Sequence, residues 1–155
     1  MNFKQRLLQR LFMWGAMITR GATLGVRAIV VDKSNRIVLV RHTYVSGWYL
    51  PGGGVERGET LMTSLKRELL EEANVRLTGE AELIGIYLNL NISKQDHVAL
   101  FLCCDWEQDA IPKPNMEIAE CAIFPLDELP EDITPSTRAR LSEVLEGSVK
   151  SEFWS

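Results

Sequence analysis

An α/β fold, with a mixed β-sheet covered by helices, is predicted by three features of the 155-residue sequence. Several short runs alternate apolar and polar residues, the period of half-buried strands. One central stretch repeats apolar residues every four positions, the period of an amphipathic helix. Strand-like runs lie on both sides of that stretch, and a second helical stretch follows near the C-terminus. The length suits one compact domain, because domains commonly run about 100 to 150 residues.

In chain order, residues 1–20 stand apart as a basic amphipathic segment, and 21–155 form the domain. Lys4, Arg6, Arg10 and Arg20 carry the segment's charge with no acid among them. Phe3, Leu7, Leu11, Trp14 and Ile18 recur at steps of three or four and fall on one helical face. That face packs on its own domain or on a second subunit as a homodimer contact, or it touches a membrane surface peripherally. The apolar run Leu11 to Ile18 is far short of the roughly 20 residues that span a bilayer, and no small-residue cleavage site ends it.

Leu24 to Val31 reads as a strand, Asp32 to Arg36 as a turn and Ile37 to Val40 as the return strand, together a β-hairpin. After Trp48-Tyr49-Leu50-Pro51, three glycines at 52–54 disfavour helix and allow close backbone approach to a ligand. Thr60 suits an N-cap, Leu61, Leu65, Leu69 and Ala73 form the buried stripe of a helix, and Asn74 ends it in a left-handed conformation. Ile84 to Leu90 and Val98 to Cys104 alternate as two strands around a polar turn at Ser93 to Asp96, a second hairpin. Ala110 to Asn115 reads as a loop, Cys121 to Phe124 as a short strand, and Thr134-Pro135 opens a last helix that Gly147 follows.

The net charge of −4 conceals an acidic body, since the 17 basic residues include four in the first twenty positions while all 21 acids lie beyond them. Such a body excludes extended nucleic-acid binding, which rests on neutralising many phosphates with Lys and Arg. Three cysteines, Cys103, Cys104 and Cys121, without Cys-x-x-Cys spacing, make neither a disulfide framework nor a structural zinc site; reduced, cytoplasmic conditions fit them.

The chemistry concentrates between Gly53 and Val75: Gly53, five residues, Glu59, seven residues, then Arg67-Glu68-Leu69-Leu70-Glu71-Glu72-Ala73-Asn74-Val75. On a helix, Glu71 lies about 60° to one side of Glu68 and Glu72 about 40° to the other, so three carboxylates converge beside the leucine stripe. Like charges at this spacing cost roughly 0.2–0.5 kcal/mol per pair. A hard divalent cation offsets that repulsion, taking oxygen ligands from a few carboxylates and the rest from water and phosphate. For the bare acids a solvated acidic face is the better reading, since such runs are common on surfaces; what favours a site is the rest of the pattern, their fixed distance from the glycine loop and the string that the two make together.

The string resembles the signature of Nudix hydrolases, G-x5-E-x7-R-E-U-x-E-E-x-G-U with U aliphatic. It departs at one defined position, Asn74 for Gly, and Asn is the next-best residue at a left-handed helix end. The resemblance extends to Leu50-Pro51-Gly52-Gly53 before the signature and to Glu120 through Leu129-Pro130 after it. It implies a Nudix-like α/β/α sandwich and a pyrophosphohydrolase cutting a phosphoanhydride bond in a nucleoside diphosphate derivative with Mg²⁺, or Mn²⁺. Carried over by position, Glu68, Glu71, Glu72 and the Gly52 carbonyl are the metal ligands, Glu68 is the first candidate for the general base, and Arg67 orients carboxylates through Glu59. Glu117 and Glu120, before the closing strand, are candidates for a further base or ligand, and His97 is a weaker one.

Substrate choice in such proteins lies outside the signature. The Pro of ADP-ribose types is replaced by Leu90, the Tyr of diadenosine-polyphosphate types by Asn91 and Ile92, and the Ser-Gln-Pro-Trp run of NADH types is absent. A nucleoside triphosphate and a nucleotide sugar both remain, with Tyr44, Trp48 and Tyr49 as candidates to stack on the base. The alternative, a non-catalytic nucleotide sensor on the same fold, usually goes with lost carboxylates, and here all are kept.

Overall fold

The computed structural model describes residues 11–13, 15 and 21–154. The amphipathic reading of residues 1–20 therefore falls almost wholly outside the described residues. Between residues 21 and 154, nine elements follow in order: β1 (Thr23–Val30), β2 (Arg36–His42), α1 (Leu61–Ala73), β3 (Val75–Leu77), β4 (Ala81–Leu88), β5 (Asp96–Cys103), β6 (Trp106–Gln108), β7 (Ile118–Pro125) and α2 (Pro135–Leu145).

Strand alternation explains the layers. Val26, Ala28 and Val30 of β1, Val38 and Val40 of β2, and Ala99, Phe101 and Cys103 of β5 face one way and pack with Leu65, Leu69 and Ala73 of α1. The intervening Ile29, Ile37, Leu39, Val98 and Leu100 face the other way and pack with Leu141 of α2 and with Trp48, Ile133 and Trp154. One set of strands thus serves two cores, with a helix on each face. This is the α/β/α sandwich expected.

The pairing is mixed: β5 runs parallel to β1 and antiparallel to β4, while β2 pairs antiparallel with β7. The hairpin read at Ser93 to Asp96 is present as β4–β5. The hairpin read for β1 and β2 is not. They meet only at a Val31–Ile37 bridge and then diverge into different sheets. The reason lies in their edges. The glycine loop takes the free edge of β1, where Val26 N donates to Gly53 O at 2.9 Å, Ala28 N to Pro51 O at 3.0 Å and Val55 N to Leu24 O at 2.9 Å. Tyr49 and Val40 exchange both backbone hydrogen bonds and occupy β2. Gly52, at φ 142°, has no room for a side chain, because a Cβ there would stand 2.0 Å from Val26 O.

α1 and α2 begin and end where their cap residues require. Thr60 accepts from Thr63 N at 3.1 Å, and Asn74 takes φ 53°, ψ 32° while its side chain donates to Ala110 O at 2.9 Å. Thr134 caps α2, with Pro135 at the first position and Gly147 beyond the end at φ 73°. Among the described residues no helix is long and apolar enough to cross a membrane.

Candidate active site

The cleft lies where the glycine loop crosses the end of α1. Its walls include Arg27 of β1, His42 of β2, Tyr44, Tyr49, Gly52 to Val55, Glu72, Asn89, Asp96 and Glu117, around about 770 Å³. Three elements position the acids. α1 presents Glu68 and Glu72 one turn apart, on the side that meets the loop, and both are almost fully buried. Gly52 N donates to Glu72 Oε2 at 2.8 Å. Gly53 leaves space for the other carboxylate, since a Cβ on Gly53 would stand 2.5 Å from the Glu68 carboxyl carbon.

Arg67 organises the signature acids. Its Nε and Nη2 donate to the two Glu59 oxygens at 2.8 and 2.9 Å, its Nη1 to Glu68 Oε1 at 2.7 Å, and Nη2 also to Gly54 O at 3.1 Å. The planar fork suits this many acceptors, as a lysine would not. Hydrogen bonds from Arg67, then from Ser64 and the Glu56 backbone, pull the Glu59 carboxyl down to about 2. Glu59 is thus a fixed anion holding Arg67. Glu71 stays at the rim, its side chain 59% exposed and 3.4 Å from Arg67.

Electrostatics separate the two buried acids from the rest. Burial pushes Glu72 up to about 7 against the opposing pull of Arg27 and the Gly52 N–H. Burial likewise raises Glu68, with Arg67 opposing it. Two desolvated carboxylates one helical turn apart are held in a form that a proton or a nearby positive charge would stabilise. Arg27 supplies part of that charge, donating from Nη1 to Leu50 O at 3.1 Å and to Gly52 O. The donor set fits a divalent ion: oxygens dominate, Gly53 clears room for one carboxylate, and the buried His42 Nδ1 faces the site with no hydrogen-bond partner among the described residues.

Of the residues singled out from sequence, Gly52, Glu59, Arg67, Glu68, Glu71 and Glu72 gather at the loop and helix, and Tyr44, Tyr49 and Glu117 line the same cleft. Trp48 and Glu120 are not brought there. Trp48 is 3% exposed in the second core, with Phe124 edge-on at 4.9 Å and the Arg41 guanidinium over its ring at 4.6 Å. It therefore has no face left for a base. Glu120 points to Arg41 at 3.6 Å. His97, at the start of β5, is not among the cleft residues.

Three contributors escaped sequence reasoning. Arg27 reads as an ordinary strand residue, yet among the described residues it is the one Lys or Arg lining the cleft. His42 follows Arg41 at the end of an apolar strand, and only the packing of β2 on α1 shows its side chain to be buried. Asn89 donates to Asp96 Oδ2 at 2.9 Å while Thr23 Oγ1 donates to Oδ1 at 2.6 Å, which makes a polar wall opposite the glycine loop.

Known proteins resemble this chain in sequence and fold. A MutT-like protein of Streptomyces ambofaciens is 29% identical over 126 residues, 81% of this chain and 79% of its own length. A putative 8-oxo-dGTP diphosphatase of Bacillus subtilis (strain 168) is 36% identical over 76 residues, 49% of this chain and 50% of its own length. The crystal structure of a MutT NUDIX hydrolase from Burkholderia pseudomallei superposes with a TM-score of 0.67 at 25% identity, covering 79% of this chain and 98% of that one. With the NUDIX domain model matching residues 21–144, glycine loop, carboxylate helix and closing strand included, the chain belongs to the Nudix family of hydrolases.

Proposed function

We propose that this Nudix hydrolase cleaves the phosphoanhydride bond of a nucleoside triphosphate or a nucleotide sugar in a reaction that depends on Mg²⁺ or Mn²⁺. The observation that carries the reading is the burial of Glu68 and Glu72 together against the glycine loop, with the Gly52 N–H aimed at Glu72 at 2.8 Å. Burying two carboxylates together is costly, and a bound cation would offset that cost.

Glu68, Glu72, the rim carboxylate Glu71 and the Gly52 carbonyl are the proposed ligands, with Glu117 across the cleft as a further one. The chemistry a divalent cation supplies when bound is neutralisation of phosphate charge while water adds to phosphorus in line with the departing phosphate oxygen. Glu68 is the proposed base: burial raises its proton affinity, so its carboxylate takes the proton of the attacking water. Arg67 fixes the carboxylate's orientation, and Glu59 fixes Arg67. Arg27, once it leaves the Gly52 carbonyl, is placed to bind a phosphate oxygen of the substrate. Tyr44, exposed beside His42, and Tyr49 offer aromatic faces to the base.

A panel of nucleoside triphosphates and nucleotide sugars, incubated with each metal and analysed for nucleoside monophosphate, tests the reading. Release from at least one member that stops with EDTA is expected. Tight nucleotide binding without release from any member would support the sensor instead.

A further inference from the structure

His42 has an environment that its strand position alone does not require. Arg41 pairs with Glu120 but His42 pairs with Ile118, so β7 bulges by one residue at Ala119. Bulges re-aim side chains beside active sites. Alternation along β2 puts His42 on the α1 face with Val38 and Val40, and the bulge in β7 brings Glu117 alongside. Thr43 locks the arrangement, its N donating to Glu117 O at 2.9 Å and its Oγ1 to Met116 O at 2.8 Å. The Tyr44 and Tyr49 rings flank the imidazole at 5.2 and 5.4 Å.

The imidazole is 5% exposed, yet its Nδ1 has no hydrogen-bond partner among the described residues and stands 3.8 Å from Glu72 Oε1. That distance is too long for a hydrogen bond. One donor atom from each of His42, Glu72 and Glu117 lies within 4.8 Å of the others. A first-row dication holding nitrogen and oxygen at about 2.0–2.2 Å separates its ligand atoms by roughly 3 Å when adjacent and 4 Å when opposite. The cluster has the spacing of a coordination shell that closes with little movement.

We propose that His42 Nδ1 is a direct ligand of a divalent cation shared with Glu72 and Glu117, and that this nitrogen makes the site prefer Mn²⁺ over Mg²⁺. The inference deepens the metal-dependent hydrolase reading and rests on it. Mg²⁺ favours an all-oxygen shell and gives up water reluctantly, whereas Mn²⁺, although the weakest nitrogen binder of the first-row series, takes an imidazole ligand more readily than Mg²⁺ does.

Pulsed electron paramagnetic resonance on the full chain with one equivalent of Mn²⁺ tests it. Nitrogen coupling to Mn²⁺ is expected in the wild type. It should persist in His97→Asn, which removes the only other histidine, and vanish in His42→Gln. Mn²⁺ affinity should fall roughly tenfold or more in His42→Gln, and Mg²⁺ affinity, read by competition, less than about twofold. Should His42→Gln fail to fold, ¹⁵N-histidine labelling of His97→Asn assigns the coupling without altering the site. Absence of nitrogen coupling in the wild type, or its survival in His42→Gln, overturns the proposal. Hydrolysis without nitrogen coupling would refute the His42 ligand and leave the hydrolase reading standing; nitrogen coupling without hydrolysis of any nucleotide would do the reverse.

Discussion

Replacing Glu72 with Gln should stabilise the metal-free protein at alkaline pH. The Glu72 carboxyl is 4% exposed, and burial raises it from 4.5 to about 7. Between those values the folded protein holds a proton that the unfolded chain has released. Stability therefore falls as pH rises from about 4.5 to about 7 and levels off above that, where the charge is buried outright. A shift of this size is worth about 3 kcal/mol at pH 8. Gln keeps an oxygen for the Gly52 N–H, but its amide hydrogens need acceptors, which returns part of the gain. With about 1 kcal/mol moving the melting temperature of a domain this size by roughly 2–4 °C, the variant should melt about 3–8 °C higher than wild type at pH 8 in EDTA and no higher than it at pH 4.5, where the amide's cost meets no charge penalty to offset it. Saturating Mn²⁺ should raise the wild-type melting temperature and leave the variant's unchanged. Scanning calorimetry across pH reads all three. A variant less stable than wild type at pH 8 without metal, or equally stabilised by Mn²⁺, would refute the reasoning.

The other predictions follow from single contacts. Gly53→Ala should fold, because the clash falls on the movable end of Glu68, but displacement of that carboxylate should cost about 10²-fold in kcat; a folded variant with wild-type kcat would rule out the cradle. Arg67→Lys loses the fork across Glu59 and the bond to Gly54 O, and kcat should fall about 10- to 100-fold with far-ultraviolet circular dichroism unchanged. A maleimide should label exposed Cys104 in the native protein and spare Cys103 and Cys121, whose thiols are buried and pushed up to about 12; mass spectrometry of the peptides reads the pattern.

What could be read from sequence was what local periodicity and caps encode. The α1 helix was legible because its leucine stripe, Thr60 and Asn74 each point to the same boundaries, and the signature spacing then located the acids. The β4–β5 hairpin was legible because a polar turn separates two alternating runs. The β1–β2 hairpin misled, because the same alternation that marks two strands does not say which edges are vacant; here the glycine loop and Tyr49 took them. The strands β3 and β6, three residues each, are too short to leave a period. The site was legible only along one stretch of chain. Trp48 looked like a base-stacking face until the second core enclosed it, and Arg27 and His42 looked like strand residues until β1 and β2 packed against α1. A side chain's distance from a carboxylate on another element is a property of the packing, and nothing in its neighbours announces it.

Glu68 and Glu72 are the residues on which the proposed metal-dependent hydrolysis rests. The decisive measurement compares nucleoside monophosphate release by wild type, Glu68→Gln and Glu72→Gln, each folded by circular dichroism, on the best nucleotide of the panel with Mg²⁺ or Mn²⁺. Full turnover is expected of the wild type alone, lost on chelation, with both variants reduced roughly 10²-fold or more. Full activity in Glu72→Gln, or turnover indifferent to EDTA, would contradict it.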